Sequence, residues 1–187
     1  MVVYCFGDSN TFGYDPRSYL GGRYPAESRW VDLLAARTGW EIHNNGMNGR
    51  EIPLREIALP KTIDLLIVML GTNDLLQGRD SSVTADRMER FLKKLPHTNQ
   101  QILLIAPPPM KYGEWVSEDR LLTESKTLSI HYRNLAHRLG IHFADAGAWN
   151  VSLTYDGVHF TEAGHIAFAD GLMDYLLKTG ERDKHES

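Results

Sequence analysis

Cysteine is nearly absent. Cys5 is the only one in 187 residues, so no disulfide joins two parts of the chain and an apolar core must hold the fold. The length allows such a core, and 42% hydrophobic against 24% charged residues is the balance of a globular chain, not a disordered one. Positive charge is not in surplus. Twenty Lys and Arg stand against 24 Asp and Glu, a net charge of −4, and no basic stripe runs along the sequence, which argues against nucleic acid as a partner. Long apolar runs are missing too: the longest, Leu65–Leu70, is far short of the ~20 residues that span a bilayer. The N-terminus lacks a basic segment followed by an apolar stretch and a small-residue cleavage site, so no signal peptide is expected. With one cysteine, a reducing cytoplasm is the expected location.

Several catalytic signatures are also lacking. No serine sits in G-x-S-x-G, which excludes the nucleophile elbow of α/β-hydrolases. Neither G-x-G-x-x-G nor the phosphate-binding G-x-x-x-x-G-K-[ST] occurs, so no nucleotide cofactor is expected. His159 and His165 are spaced poorly for one helical face and H-E-x-x-H is absent, so no metal site is expected either.

What is present is alternation. An apolar run from Val2 to Phe6 stops at Gly7-Asp8-Ser9-Asn10, the pattern of a buried strand emerging into a loop. The loop 14–26 follows, then a helix over 27–38 and a strand over 40–45. A short or broken helix is expected around Ile52, Ile57 and Leu59, carrying Pro53 and ended by Pro60. The clearest strand is Ile63–Leu70, apolar enough for burial on both faces. A helix over 84–95, a strand over 101–106, a loop over 110–121, a helix over 122–139 and a strand over 141–144 come next. Thr161 then caps a last helix. Strand–helix alternation without repeats predicts an α/β chain. The expected form is a three-layer α/β/α sandwich, flavodoxin-like, whose parallel five-stranded sheet has the order 2-1-3-4-5. It forms one domain over 1–187, with a frayed charged tail from about 180.

Polar clusters mark the strand ends: Asp8-Ser9-Asn10, Asn44-Asn45-Gly46, Thr72-Asn73-Asp74 and, before the last helix, Asp156-Gly157-Val158-His159. In a parallel sheet all carboxyl ends share one edge, where ligands bind. Residues from nearly the whole chain therefore meet there, and Ser, His, Asp and Asn suit acyl transfer. A serine hydroxyl needs a neighbouring base, a histidine can take and return the proton, and an aspartate fixes the imidazole tautomer. Asn73 can offer a side-chain NH₂ to an oxyanion, and Gly46 and Ser9 backbone N–H groups. Each cluster has a plainer alternative. Asp8, Ser9, Asn10 or Asn73 can cap helices, Gly46 and Asp156-Gly157 can make turns, and His159 can be a buried structural residue.

Taken together the blocks resemble the SGNH (GDSL) hydrolases. Phe6-Gly7-Asp8-Ser9, Gly46 within Asn45-Gly46-Met47, Gly71-Thr72-Asn73-Asp74 and Asp156-Gly157-Val158-His159-Phe160 occur in the family's order. The wording around them, with Ala106-Pro107-Pro108-Pro109, is similar to the arylesterase/acyltransferase-like branch. The resemblance implies a metal-independent serine esterase acting on small carboxylic esters. Ser9 is its nucleophile, His159 the base and Asp156 its partner, while Ser9, Gly46 and Asn73 form the oxyanion hole. Asn10 stands where leucine usually follows the serine, at a position bordering the pocket. Met47, Leu75, Pro108 and Trp115 are expected to wall the acyl site, with 14–26 and 110–121 as mobile rims. A carbohydrate O-deacetylase using the same residues, and a non-catalytic flavodoxin-like binding protein, are the alternatives. A homo-oligomer remains open.

Overall fold

The computed structural model describes residues 1–18 and 20–185, without side chains from 180 onward. The tail expected to fray from about 180 continues as helix to His185, and only residues 186 and 187 of it lie outside the described residues. Five strands, β1 (Val2–Gly7), β2 (Glu41–Gly46), β3 (Leu65–Met69), β4 (Ile102–Ala106) and β5 (His142–Asp145), form one sheet in the order β2-β1-β3-β4-β5. Every pairing is parallel. The expected order and the layered α/β fold are both observed. Register then aligns the strand ends: Gly7 pairs with Gly46 on one side and with Met69 on the other.

Alternate strand residues divide between two apolar layers, as the period of a pleated strand requires. Phe6, Leu66, Val68 and Leu104 pack with Met88 and Phe91 of α4 (Ser81–Leu92) and Leu128 and Tyr132 of α5 (Asp119–Leu139). Val3, Cys5, Ile67 and Ile105 pack on the other face. There they meet Trp30 and Leu34 of α2 (Trp30–Thr38) and Phe168 and Leu172 of α6 (Glu162–His185). Each fully buried large apolar side chain contributes about 1.5–3 kcal/mol. Burial raises the Cys5 thiol pKa, so it packs as an inert apolar group. Among the described residues no helix is long and apolar enough to cross a membrane.

Two short helices lie at the carboxyl rim: α1 (Ser9–Phe12) directly after β1, and α3 (Thr72–Leu76) after β3. The broken helix expected around Ile52–Leu59 does not form. Pro53 cannot donate to a helical ladder, and the Ile52 N–H is taken by the Asp74 carboxylate (3.0 Å). Helices α4 and α5 begin earlier than expected, at Ser81 and Asp119. The Ser81 N–H is held by Glu124 Oε2 at 2.6 Å, a contact between the two helices. Thr161 caps α6 as expected, its Oγ1 accepting from Gly164 N at 2.9 Å.

Candidate active site

Ser9 opens α1, and the residue before it builds the turn. Asp8 caps the helix by accepting from Asn10 N at 3.0 Å. The Ser9 carbonyl accepts from Gly13 N and Tyr14 N, so the serine backbone is fixed while Oγ points off the sheet end. Opposite it, the 156–159 turn is folded by one carboxylate. Asp156 Oδ1 accepts from Val158 N (2.8 Å) and His159 N (2.9 Å), and its Oδ2 lies 2.6 Å from His159 Nδ1. His159 Nε2 lies 3.0 Å from Ser9 Oγ. The contact to a carboxylate assigns the proton to Nδ1, which leaves the Nε2 lone pair facing the Ser9 hydroxyl. Burial works to raise the Asp156 pKa, but the hydrogen bonds from the His159 imidazole and the two N–H groups outweigh it and hold it at about 2. Asp156 is therefore ionised at neutral pH.

Ser9 and His159 open into a cavity of about 290 Å³ lined also by Tyr14, Asn48, Gly49, Asn73, Trp115 and Val158. The Tyr14 and Trp115 rings meet the imidazole edge-on, with centroids 4.8 and 5.0 Å away, and His159 is only 3% exposed. Asn73 sits in the first turn of α3. Its Nδ2 donates to Arg50 O at 3.1 Å. An amide nitrogen carries two protons, so a second one is left to serve the cavity.

The GDSL-like lipase/acylhydrolase family matches residues 5–167. The chain belongs to this family. It is an acylhydrolase of carboxylic esters. Among solved structures, a protein named as an arylesterase from Agrobacterium tumefaciens str. C58 is similar at 30% identity, covering 95% of this chain and 98% of that one, with a TM-score of 0.80. Est24, a carbohydrate acetylesterase from Sinorhizobium meliloti, is 27% identical over 95% and 99% of the two chains, with a TM-score of 0.79. The aryl esterase of M. smegmatis shares the fold at 24% identity and TM-score 0.77, over 95% and 98%. Among curated proteins none matches.

In this GDSL-family hydrolase, Ser9, His159, Asp156 and Asn73 come together as the sequence suggested. Gly46 does not join them. Its N–H is donated to Asn44 Oδ1 at 2.9 Å, and it is absent from the cavity wall. A Cβ at Gly46 would lie 2.0 Å from Phe12 N, so glycine is needed there to let α1 pack on β2. The glycine of this block that lines the cavity is Gly49, with φ +71° and nothing within 4 Å of the Cβ position; Gly21, from the loop after α1, lines it as well. Among the described residues neither Gly49 N–H nor Ser9 N–H meets a protein acceptor. The block Gly46-Met47-Asn48-Gly49 offered both glycines, and only the path of the turn decides between them.

Of the expected pocket walls, Trp115 alone lines the cavity. Leu75 is fully buried in the core. Met47, 52% exposed, lines a neighbouring cleft with Phe6, Arg50 and Pro53. Pro108 lines another cleft with Pro109 and Met110. Asn10 turns its amide onto the main chain of 158 and 160 and does not border the pocket. Tyr14 and Asn48, which do, carry no local signal beyond lying in the loops that follow β1 and β2.

A buried ion network supports the oxyanion side. Asp74, fully buried, binds Ile52 N through Oδ2, and its Oδ1 lies 2.8 Å from Arg87 Nε. Arg87 also donates to Ile52 O at 2.9 Å, while Glu51 pairs with Arg79 at 2.7 Å. The segment carrying Gly49 and Arg50 is thus tied to α3, which carries Asn73.

Proposed function

We propose that this acylhydrolase works through an acyl-enzyme on Ser9 and prefers short acyl groups. His159 Nε2 accepts the Ser9 hydroxyl proton as Oγ attacks the ester carbonyl. The tetrahedral oxyanion is met by Ser9 N–H, Gly49 N–H and the second Asn73 Nδ2 proton. Collapse breaks the bond to the ester oxygen, which leaves as the alcohol carrying the proton that His159 took from Ser9. A water deprotonated by the same imidazole then releases the acid and restores Ser9. Asp156 stays ionised throughout, stabilising the imidazolium. No step requires a metal or cofactor.

The observation that carries this reading is the unbroken chain Asp156 Oδ2–His159 Nδ1, 2.6 Å, and His159 Nε2–Ser9 Oγ, 3.0 Å. The size of the cavity, at the lower end of the ~300–1,000 Å³ usual for ligand sites, supports a small acyl group. Ser9→Ala should abolish p-nitrophenyl acetate hydrolysis with the fold retained; persisting turnover would refute the mechanism. Across p-nitrophenyl esters of increasing chain length, kcat/KM should be greatest for acetate and fall steadily.

Carbohydrate O-deacetylation with the same residues is the second reading. Its support is the likeness to Est24 together with the two aromatic rings, Tyr14 and Trp115, that line the cavity. Higher kcat/KM on acetylated xylan or acetyl-sugars than on aryl acetates would select it. Operation as one domain in a reducing cytoplasm belongs to the same proposal.

A further inference from the structure

We propose that Asn10 is a positioning residue, which sets the distance between nucleophile and base by gripping the main chain on both sides of His159. The inference rests on the assignment of Ser9 and His159 above. Asn10 is 4% exposed. Its Nδ2 donates to Val158 O at 3.1 Å, and its Oδ1 accepts from Phe160 N at 2.9 Å. Val158 O and Phe160 N flank the base, and among the described residues neither atom makes another hydrogen bond.

The bracket is rigid at its root. Asn10 N is held by Asp8 Oδ1 at 3.0 Å, and Asn10 O accepts from Trp30 Nε1 at 3.0 Å. The remaining bonds of the histidine turn run within it and to the 111–115 loop: Asp156 caps Val158 N and His159 N, His159 O accepts from Thr154 N, and Lys111 N and Trp115 N donate to Gly157 O and Asp156 O at 3.1 Å. They fix the shape of the turn and hold it against that loop, but none of them reaches the helix that carries Ser9. From α1, the hydrogen bonds that reach this turn are the Ser9–His159 contact itself and the two made by Asn10.

The residue type matters because the two targets are opposite in kind. A carbonyl needs a donor and an N–H needs an acceptor, and a carboxamide presents both in one plane. Leucine, of similar size, presents neither. Ionised aspartate keeps the acceptor and loses the donor. An error of ~1 Å in the placing of reacting groups can cost about 10²-fold in rate, and the Ser9–His159 contact has no other lateral support from α1.

The test compares wild type, Asn10→Leu and Asn10→Asp for kcat and KM on p-nitrophenyl acetate, for the rate at which a fluorophosphonate labels Ser9, and for thermal melting. For Asn10→Leu, kcat should fall about 10²-fold with KM nearly unchanged, and fluorophosphonate labelling should slow in parallel. Asn10→Asp should fall between Asn10→Leu and wild type. A folded Asn10→Leu protein with wild-type kcat and labelling rate, or with a change in KM alone, would overturn the proposal. A lowered melting point without a loss of kcat would do the same. If Asn10→Leu does not fold, the isosteric Asn10→Asp decides: reduced kcat at constant KM supports positioning, and undiminished kcat refutes it. Turnover surviving Ser9→Ala would instead overturn the underlying assignment, so the two failures are distinguishable.

Discussion

In one half of the site, Asp156, His159 and Ser9 form a chain whose polar atoms already bond one another. In the facing half, Gly49 N–H, Ser9 N–H and one Asn73 proton are left unspent, while the peptide groups behind them are firmly held. The difference follows from what each half handles. A proton path has the same partners before and during reaction, so it can be complete at rest. Oxyanion donors are useful only if nothing satisfies them until charge develops, which is the condition for binding the transition state more strongly than the ground state. The Asn44 side chain makes the point by contrast: by taking the Gly46 N–H, it removes that glycine from the second half.

His159→Ala cuts the first half at its centre and should lower kcat by on the order of 10⁶-fold, measured beside an unchanged melting curve. Asn73→Ala removes one unspent donor; kcat should fall about 10²–10³-fold while KM for p-nitrophenyl acetate moves little. A rise in kcat for Asn44→Ala, which frees the Gly46 N–H, would place the hole at Gly46 and break the comparison; the account predicts none. Asp74→Asn probes the support behind the donors. It leaves Arg87 without its nearest carboxylate, and stability should drop by about 3–5 kcal/mol in urea unfolding, with a smaller decline in kcat than Asn73→Ala produces.

The smallest effect concerns Asp8, which underlies both halves. Burial raises its pKa from 3.8 to about 6, against the Asn10 N–H bond and the nearby His159 and Arg50 charges. Between those two values the folded chain keeps a proton that the unfolded chain releases. Stability is therefore lost as pH rises through that window, by about 3 kcal/mol for a shift of this size. Other groups act oppositely. His165, which burial lowers to about 3, costs stability as pH falls from 6.5 towards 3, and Asp156 does so as pH falls from 3.8 towards 2. Comparing wild type with Asp8→Asn cancels both. The variant should gain stability relative to wild type between pH 4 and pH 7, and a constant difference would show that Asp8 titrates normally.

What could be read from the sequence follows the range of the interactions involved. Apolar runs ended by glycine marked β1 and β3, because burial on two faces leaves an uninterrupted local pattern. The strand-end clusters then identified Ser9, Asn73, Asp156 and His159, since parallel topology sends all those ends to one rim. Helix α3 has only five residues and shows no period. The segment after Gly49 has helix-like apolar spacing at Ile52, Ile57 and Leu59, but a buried carboxylate claims its backbone. Gly46 and Gly49 cannot be told apart without the turn between them. The family resemblance puts Asn10 at the pocket border, whereas its partners lie about 150 positions away, at Val158 and Phe160.

The central claim is that Ser9, activated by His159, is where the acyl group is carried. Mass mapping of the fluorophosphonate adduct tests it most directly. The account predicts one adduct on Ser9, formed in step with the loss of p-nitrophenyl acetate hydrolysis and suppressed in His159→Ala. Complete inactivation with Ser9 unmodified would contradict it.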